Sequence, residues 1–499
     1  MEIYYSSTRG KESHVTASQA ILKGLADDGG LFMPDRIPSL ERPLKDFASM
    51  SYQETAYEVM KLFLTDFTEE ELKSCIARAY DSKFDTEEIA PLVKADGAYY
   101  LELFHGSTIA FKDMALSILP HLMTTAARKN QVKDTIVILT ATSGDTGKAA
   151  MAGFADVEGT KIIVFYPKGG VSRVQELQMI TQKGDNTAVA AITGNFDDAQ
   201  SGVKKIFGDR EFASELSASG YRLSSANSIN IGRLVPQIVY YVYAYAKLLS
   251  HGEIEEGESI NITVPTGNFG NILAAYFAKE LGVPVHKLIC ASNDNKVLFD
   301  FFRTGIYDKR REFILTTSPS MDILISSNLE RLLYLASGCS AAKTSELMSE
   351  LSEKGVYEIT PSMKEKMKDF VGGFADQEEN AEEIKRVFKD TGYLIDTHTG
   401  VASAVYRAYR KNSGDETKTV IASTASPYKF SRSVMEAVCD LDSPEGKLPE
   451  DEFELIDQME QLSGVPQPMA VREIRDAAVR HTRQCSPEDM KNMVRQILK

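Results

Sequence analysis

The stretch Thr135-Ile-Val-Ile-Leu-Thr-Ala-Thr-Ser-Gly-Asp-Thr-Gly147 decides the fold. An unbroken apolar run suits a strand buried on both faces of a parallel sheet. It breaks into a small, hydroxyl- and glycine-rich turn, and a helix of small residues follows through Ala155. The same grammar repeats on either side. Lys161–Tyr166 leads into Pro167-Lys-Gly-Gly170 and a helix carrying Arg173, Gln175 and Gln178. Ala188–Ile192 leads into Thr193-Gly-Asn-Phe-Asp-Asp198 and another helix. After an acidic linker or loop at 251–260 the pattern resumes. Asn261–Val264 enters Pro265-Thr-Gly-Asn-Phe-Gly-Asn271 and a helix through Tyr276, Lys287–Ser292 is a further strand, and Thr419–Ala422 is the last. Strand, glycine turn and helix in alternation predict a twisted, mostly parallel sheet wrapped by helices, an α/β protein.

Outside that region the pattern is helical. Ala17–Leu25 and Ala56–Phe63 have apolar residues at helical spacing, and Thr68-Glu-Glu-Glu71 has a capping-type start. A helical N-terminal domain ending near residue 95 is expected. Residues 340–395 read as mostly helical and charged, and the chain beyond 440 as polar and helical. The run Ile238–Ala246 is too short to span a bilayer and reads as a buried helix. A length of 499 residues suits two or three domains, and a net charge of −15 argues against nucleic acid as a partner. Five scattered cysteines without metal spacing point to buried thiols in a reducing compartment, and the first residues show no secretory signal. These features predict a cytoplasmic protein without a metal site or membrane association.

The chemistry centres on Phe104-His-Gly-Ser-Thr-Ile-Ala-Phe-Lys-Asp113, which sets Lys112 among apolar neighbours. Apolar surroundings disfavour an ammonium, and a neutral amine is the nucleophile that forms a Schiff base. A solvated, snorkelling lysine is the plainer alternative. Glycine turns ahead of helices are anion sites. The turn at 140–148 fails as a P-loop, because Thr142 stands where glycine is needed and Ala149 where Ser or Thr is needed. Ser143, Gly144, Asp145 and Thr146 suit a carboxylate instead, with Asp145 outside the nest. Thr-Gly-Asn-Phe occurs twice, at 193–196 and 266–269. Asp197 and Asp198 follow the first and would repel a phosphate. Gly270 and Asn271 follow the second, which is the better phosphate cradle.

Taken together, His105-Gly-Ser-Thr-Ile-Ala-Phe-Lys-Asp113, Thr142-Ser-Gly-Asp-Thr-Gly147, Gly267-Asn-Phe-Gly-Asn271 and Ser423-Thr-Ala-Ser-Pro-Tyr-Lys-Phe430 resemble the threonine synthase family. Ser7-Thr-Arg-Gly10, Asp27–Pro34, Ser224–Arg233 and Ser318–Leu324 extend the resemblance, in order, across residues 5–430. The helical stretch at 340–395 looks like the longer, microbial and fungal type. The resemblance implies a pyridoxal 5'-phosphate lyase of fold type II, with two α/β lobes and a mainly helical N-terminal domain. Residues 1–95 would be that domain. Residues 96–430 would be catalytic, with a smaller lobe at about 130–250 and a larger one at about 260–430, and 431–499 a C-terminal helical extension.

The resemblance also implies roles. Lys112 would carry the Schiff base and act as acid and base. Gly267, Asn268, Phe269, Gly270 and Asn271 would bind the cofactor phosphate, and Thr424 would face the pyridine nitrogen. Ser143, Gly144, Asp145 and Thr146 would hold the substrate carboxylate. The substrate would be O-phospho-L-homoserine, converted with water to L-threonine and phosphate by a monomer or homodimer. Arg233, with Asn227 and Ser228, is the first choice for the leaving phosphate, since a guanidinium matches it bidentately; Lys168 and Arg173 are weaker choices. Asp113 would complement the N-terminus of its helix, His105 would bond backbone, and His398 would cap a helix. Ser426 and Tyr428 depart from the family pattern, which leaves the outer wall of the site open. The alternatives are a phospholyase of the same family that yields a 2-oxo acid, and a nucleotide-binding protein that uses the 140–148 turn.

Overall fold

The computed structural model describes residues 2–142, 145–171, 173–439 and 448–499. In chain order the strands of its two main sheets are β1 (Leu92–Ala95), β2 (Ala98–Glu102), β3 (Thr135–Ala141), β4 (Thr160–Pro167), β5 (Thr187–Ile192), β6 (Tyr221–Ser224), β7 (Ile260–Pro265), β8 (Val285–Ser292), β9 (Phe370–Phe374), β10 (Thr419–Ser423) and β11 (Arg483–Cys485). The larger sheet runs β9-β8-β7-β10-β2-β1 and the smaller β11-β5-β4-β3-β6. All neighbours pair in parallel except β1 and β2.

The apolar runs become strands because helices cover both faces. Val137, Ile138 and Leu139 of β3 and all of β7 are buried. The run Ile238–Ala246 lies in the helix Ile231–Ser250, which is apolar on every side and packs against the helices Gly270–Glu280 and Tyr52–Met60. A helix without a polar face belongs inside a core. At the N-terminus, the helices Ala17–Lys23, Tyr52–Met60 and Glu69–Ala79 each start with a reciprocal capping box. The short antiparallel pair Tyr5–Ser7 and Phe32–Pro34 joins them.

Of the two readings of the acidic segment 251–260, the loop holds, anchored where Glu253 takes Lys94 Nζ at 2.8 Å and Tyr99 Oη at 2.7 Å. Two expectations are refined. The stretch 340–395 is not only helical: β9, Phe-Val-Gly-Gly-Phe, is the edge strand of the larger sheet. The tail is not only helical either. β11 pairs with β5, and the helix Met490–Leu498 packs against the helix Phe196–Gly208. The end of the chain therefore completes the smaller lobe.

Met490 is fully buried in that seam, and a Cβ on Gly202 would come within 2.3 Å of its sulfur. Truncation there leaves a cavity. Met490→Ala is expected to cost about 2–5 kcal/mol, read as lost hydrogen-exchange protection in β3, β4 and β5 while the N-terminal helices keep theirs.

Candidate active site

Lys112 opens the short helix Lys112–Leu116 directly after a loop that is bonded to the end of β10. The Phe111 amide donates to Thr424 O at 2.8 Å, and the Ser426 amide to Ile109 O at 3.0 Å. These bonds bring Lys112 and Thr424 to one place. Asp113 lies in the first turn of its own helix and also does more. It turns back to accept from the Thr108 amide at 2.8 Å and the Thr108 hydroxyl at 2.7 Å, which fixes the loop ahead of the lysine. Burial raises the Asp113 carboxyl above its ordinary range, and these hydrogen bonds limit the rise.

Lys112 Nζ donates to Ser320 Oγ at 3.1 Å and lies 3.7 Å from Asp145 Oδ2. Ser320 Oγ donates to the same Oδ2 at 3.1 Å. Asp145 therefore faces inward rather than standing outside its turn. Its other oxygen, Oδ1, lies 3.3 Å from Lys429 Nζ and 3.8 Å from Lys148 Nζ. Burial disfavours the charge on Asp145, but the ammonium fields of Lys429, Lys112 and Lys148 outweigh it and hold the carboxyl far below its usual range. Burial lowers Lys112, Asp145 partly restores it, and Lys429 and Arg233 lower it further. An amine with a depressed pKa is a better nucleophile at neutral pH.

Ser320 also connects the lysine to the glycine turn. A Cβ on Gly267 would stand 2.4 Å from Ser320 O, so only glycine allows this approach. Ser326 Oγ donates to Gly267 O at 2.6 Å, and the Asn328 amide to Asn268 O at 3.0 Å. The Ser320 amide donates to His398 Nε2 at 3.1 Å, and His398 Nδ1 is 2.8 Å from Asp396 Oδ2. Asp396, not His398, caps the helix Thr397–Ser413.

The twin Thr-Gly-Asn-Phe turns differ at the helix start. Asn195 and Asp198 form a capping box that uses the first-turn donors of the helix Phe196–Gly208. The helix Gly270–Glu280 has no side-chain cap, and Phe269 before it sits at φ 66°, a left-handed conformation that costs an L-residue roughly 1–2 kcal/mol. Uncapped amides at a helix N-terminus suit an anion. Asn271 adds a buried amide nitrogen without a partner, while its oxygen accepts from Tyr240 at 2.9 Å and from Tyr241. Arg233 is buried, donates to Ala226 O at 2.9 Å and keeps Nε unpartnered; burial lowers it to about 10. The loop holding Asn227 and Ser228 meets the glycine turn through Asn328, whose amide donates to Ser228 O at 3.3 Å.

Other residues fall elsewhere. Thr146 lies in the first turn of the helix Asp145–Phe154, and Ser143 and Gly144 lie outside the described residues. Lys168 bonds Gln484 at 2.9 Å, and Arg173 reaches Glu176 at 3.5 Å. Lys148, Ser320 and Lys429 were not singled out by the sequence. Yet Lys148 in Gly-Lys-Ala-Ala-Met and Lys429 in Pro-Tyr-Lys-Phe have the same apolar flanks that marked Lys112. Among the described residues no cluster of metal ligands exists.

Three family models match: "Threonine synthase N terminus" over residues 4–80, "Pyridoxal-phosphate dependent enzyme" over 85–425, and "Threonine synthase, C-terminal" over 399–482. Threonine synthase of Saccharomyces cerevisiae is 36% identical over 468 residues, which is 88% of this chain and 89% of that protein. Threonine synthase-like 1 of Pongo abelii is 39% identical over 434 residues, 84% of this chain, and the chain spans only 58% of its length. The crystal structure of a PLP-bound threonine synthase from Brucella melitensis superposes with a TM-score of 0.88 at 34% identity, covering 100% of both chains.

His105 gives a test of the loop before the lysine. It bonds carboxylates rather than backbone, with Nδ1 2.6 Å from Asp85 and Nε2 2.8 Å from Glu102. Burial alone would lower the imidazole, but these partners raise it to about 9. Because the folded value exceeds the unfolded value of about 6.5, its stabilisation is complete below that pH and fades as pH rises through about 9. The gap in urea midpoint between the native protein and His105→Asn is expected to be widest in mild acid and to narrow through that upper window.

Proposed function

Since the chain belongs to the threonine synthase family, we propose that it converts O-phospho-L-homoserine and water to L-threonine and phosphate with pyridoxal phosphate. One observation carries this reading. A lysine amine only 12% exposed and an uncapped, glycine-led helix N-terminus are joined by a single segment, Ser320 to Asn328. A molecule with an aldehyde at one end and a phosphate at the other matches both ends. The partnerless Asn271 amide and the left-handed Phe269 belong to the same cradle.

When bound, the cofactor supplies an electron sink for carbanions next to the substrate's amino group. The chain's own residues do the rest. Gly267, Asn268, Phe269, Gly270 and Asn271 hold the cofactor phosphate by amides and the helix dipole. Thr424, whose backbone pins the Lys112 loop, would offer the ring nitrogen a hydroxyl rather than a charge. Lys112 moves protons at Cα and Cβ of the substrate, a task that a depressed amine pKa favours. The leaving phosphate needs fixed donors, and Arg233 with Asn227 and Ser228 provides them. Thr146, with Ser143 and Gly144, takes the substrate carboxylate. Asp145 is committed to amines and serves as their counter-charge.

Purified protein given pyridoxal phosphate and O-phospho-L-homoserine is expected to release threonine and phosphate in equal amounts. Borohydride should fix the cofactor to the peptide bearing Lys112, and Lys112→Ala should lower turnover by about 10³-fold or more. Formation of 2-oxobutyrate in place of threonine would instead favour the phospholyase.

A further inference from the structure

Four polar groups converge on Asp145, although its buried Oδ1 is held by charge alone and accepts no hydrogen bond. Lys112 and Ser320 meet its Oδ2, at 3.7 and 3.1 Å, and Lys429 and Lys148 meet Oδ1, at 3.3 and 3.8 Å. These groups come from separate parts of the chain. Asp145 and Lys148 share the helix after β3, Lys112 opens the helix at 112–116, and Lys429 lies in the short turn Pro427–Phe430 after β10. Arg233 acts on Lys112 from the helix Ile231–Ser250, and His398 on Asp145 from the helix Thr397–Ser413.

Lys429 is tightly fixed. Its side chain is 2% exposed, and Nζ donates to Thr108 O at 2.6 Å. Thr108 is the residue that Asp113 holds from the other side, so Lys429 is keyed to the loop that delivers Lys112. Lys148, also buried, donates to Gln178 Oε1 at 2.8 Å and has a side-chain partner besides Asp145. Without Lys429, Lys112 would be drawn into service as the main partner of Asp145.

We propose that Lys429 is a positioning residue for the lysine chemistry: it takes Oδ1 of Asp145, so that the carboxylate does not hold Lys112 as its own ammonium partner. The proposal rests on the reading of Lys112 as a nucleophile, yet concerns a property of the free chain. The sign follows from the geometry. Removing Lys429 deletes a positive charge near Lys112 and leaves Asp145 to be shared by Lys112 and Lys148 alone. Both changes favour the ammonium form. Removing the charge of Asp145 does the reverse.

The experiment uses the full chain freed of cofactor. Trace acetic anhydride labelling over a pH series, read by peptide mass spectrometry, gives the midpoint at which Lys112 becomes reactive. Lys429→Met is expected to move it upward by about 1–3 pH units, the range for the effect of a nearby charge. Lys429→Arg keeps it near the native value. Asp145→Asn lowers it, and the double variant Lys429→Met, Asp145→Asn brings it back down from the single Lys429 variant. Re-formation of the cofactor's visible absorbance on adding pyridoxal phosphate should follow the same order. A Lys112 midpoint unchanged in Lys429→Met, with only melting temperature reduced, would show a structural staple and overturn the proposal. If Lys429→Met proves insoluble, a Lys112 midpoint unmoved in Asp145→Asn overturns it equally. A native chain that makes no threonine while these shifts appear would sink the functional reading and leave this one standing.

Discussion

The site depends on a carboxylate of one lobe sunk among amines of the rest of the chain. Asp145 starts the helix that follows β3 in the smaller sheet, while Lys112, Ser320 and Lys429 belong to segments around the larger sheet. Burying ionised groups is costly unless each is paired and hydrogen-bonded. Here the cost is met by convergence: one acid serves several amines, and a serine hydroxyl bridges acid and nucleophile. The acid that sets the field at Lys112 therefore comes from the smaller sheet, and the amines from segments around the larger one.

Convergence of that density requires backbones to approach one another closely. Gly267 lies against Ser320 O, and Gly147 has the Thr142 side chain where its Cβ would be, 2.5 Å away. Gly147 and Gly267 thus do more than free amides for an anion: at both a side chain would collide with the chain packed against it. This explains why a serine more than fifty positions along the chain from Gly267 touches the lysine while no sequence window holds all three.

Much of the fold was legible because buried parallel strands need continuous apolar residues. β3, β4, β5, β7, β8 and β10 stood out on that ground, as did the buried helix around Ile238–Ala246. β9 did not, because its centre is Gly372 and Gly373. A Cβ at the first would meet Phe299 at 3.1 Å and at the second Val405 at 2.4 Å, so helices on both faces demand glycine where a strand pattern demands bulk. β11 escaped because a short, polar edge strand has no periodic signature. At the site, Lys112 could be read from its apolar flanks. Lys148 and Lys429 carried the same mark and were passed over, since no local feature shows that separate lysines share one acid. Ser320 carried no mark at all; its role exists only in three dimensions.

The site gathers more cations than carboxylates. Lys148, Lys429 and Arg233 are buried and Lys112 lies beside them at 12% side-chain exposure, with Asp145 and Asp113 as the nearby acids. Burial lowers Lys112, Lys148 and Arg233 below their ordinary values, which is the response of cations short of counter-charge. Partnerless donors on Arg233 and Asn271 point to the same deficit. On the proposed reading an anionic ligand would relieve it, and binding to the folded state alone would stabilise that state. The left-handed Phe269 and the uncapped helix behind it are tolerated on the same terms. What looks like local disregard for capping, charge pairing and backbone comfort is concentrated where a phosphate and a carboxylate would supply what is missing.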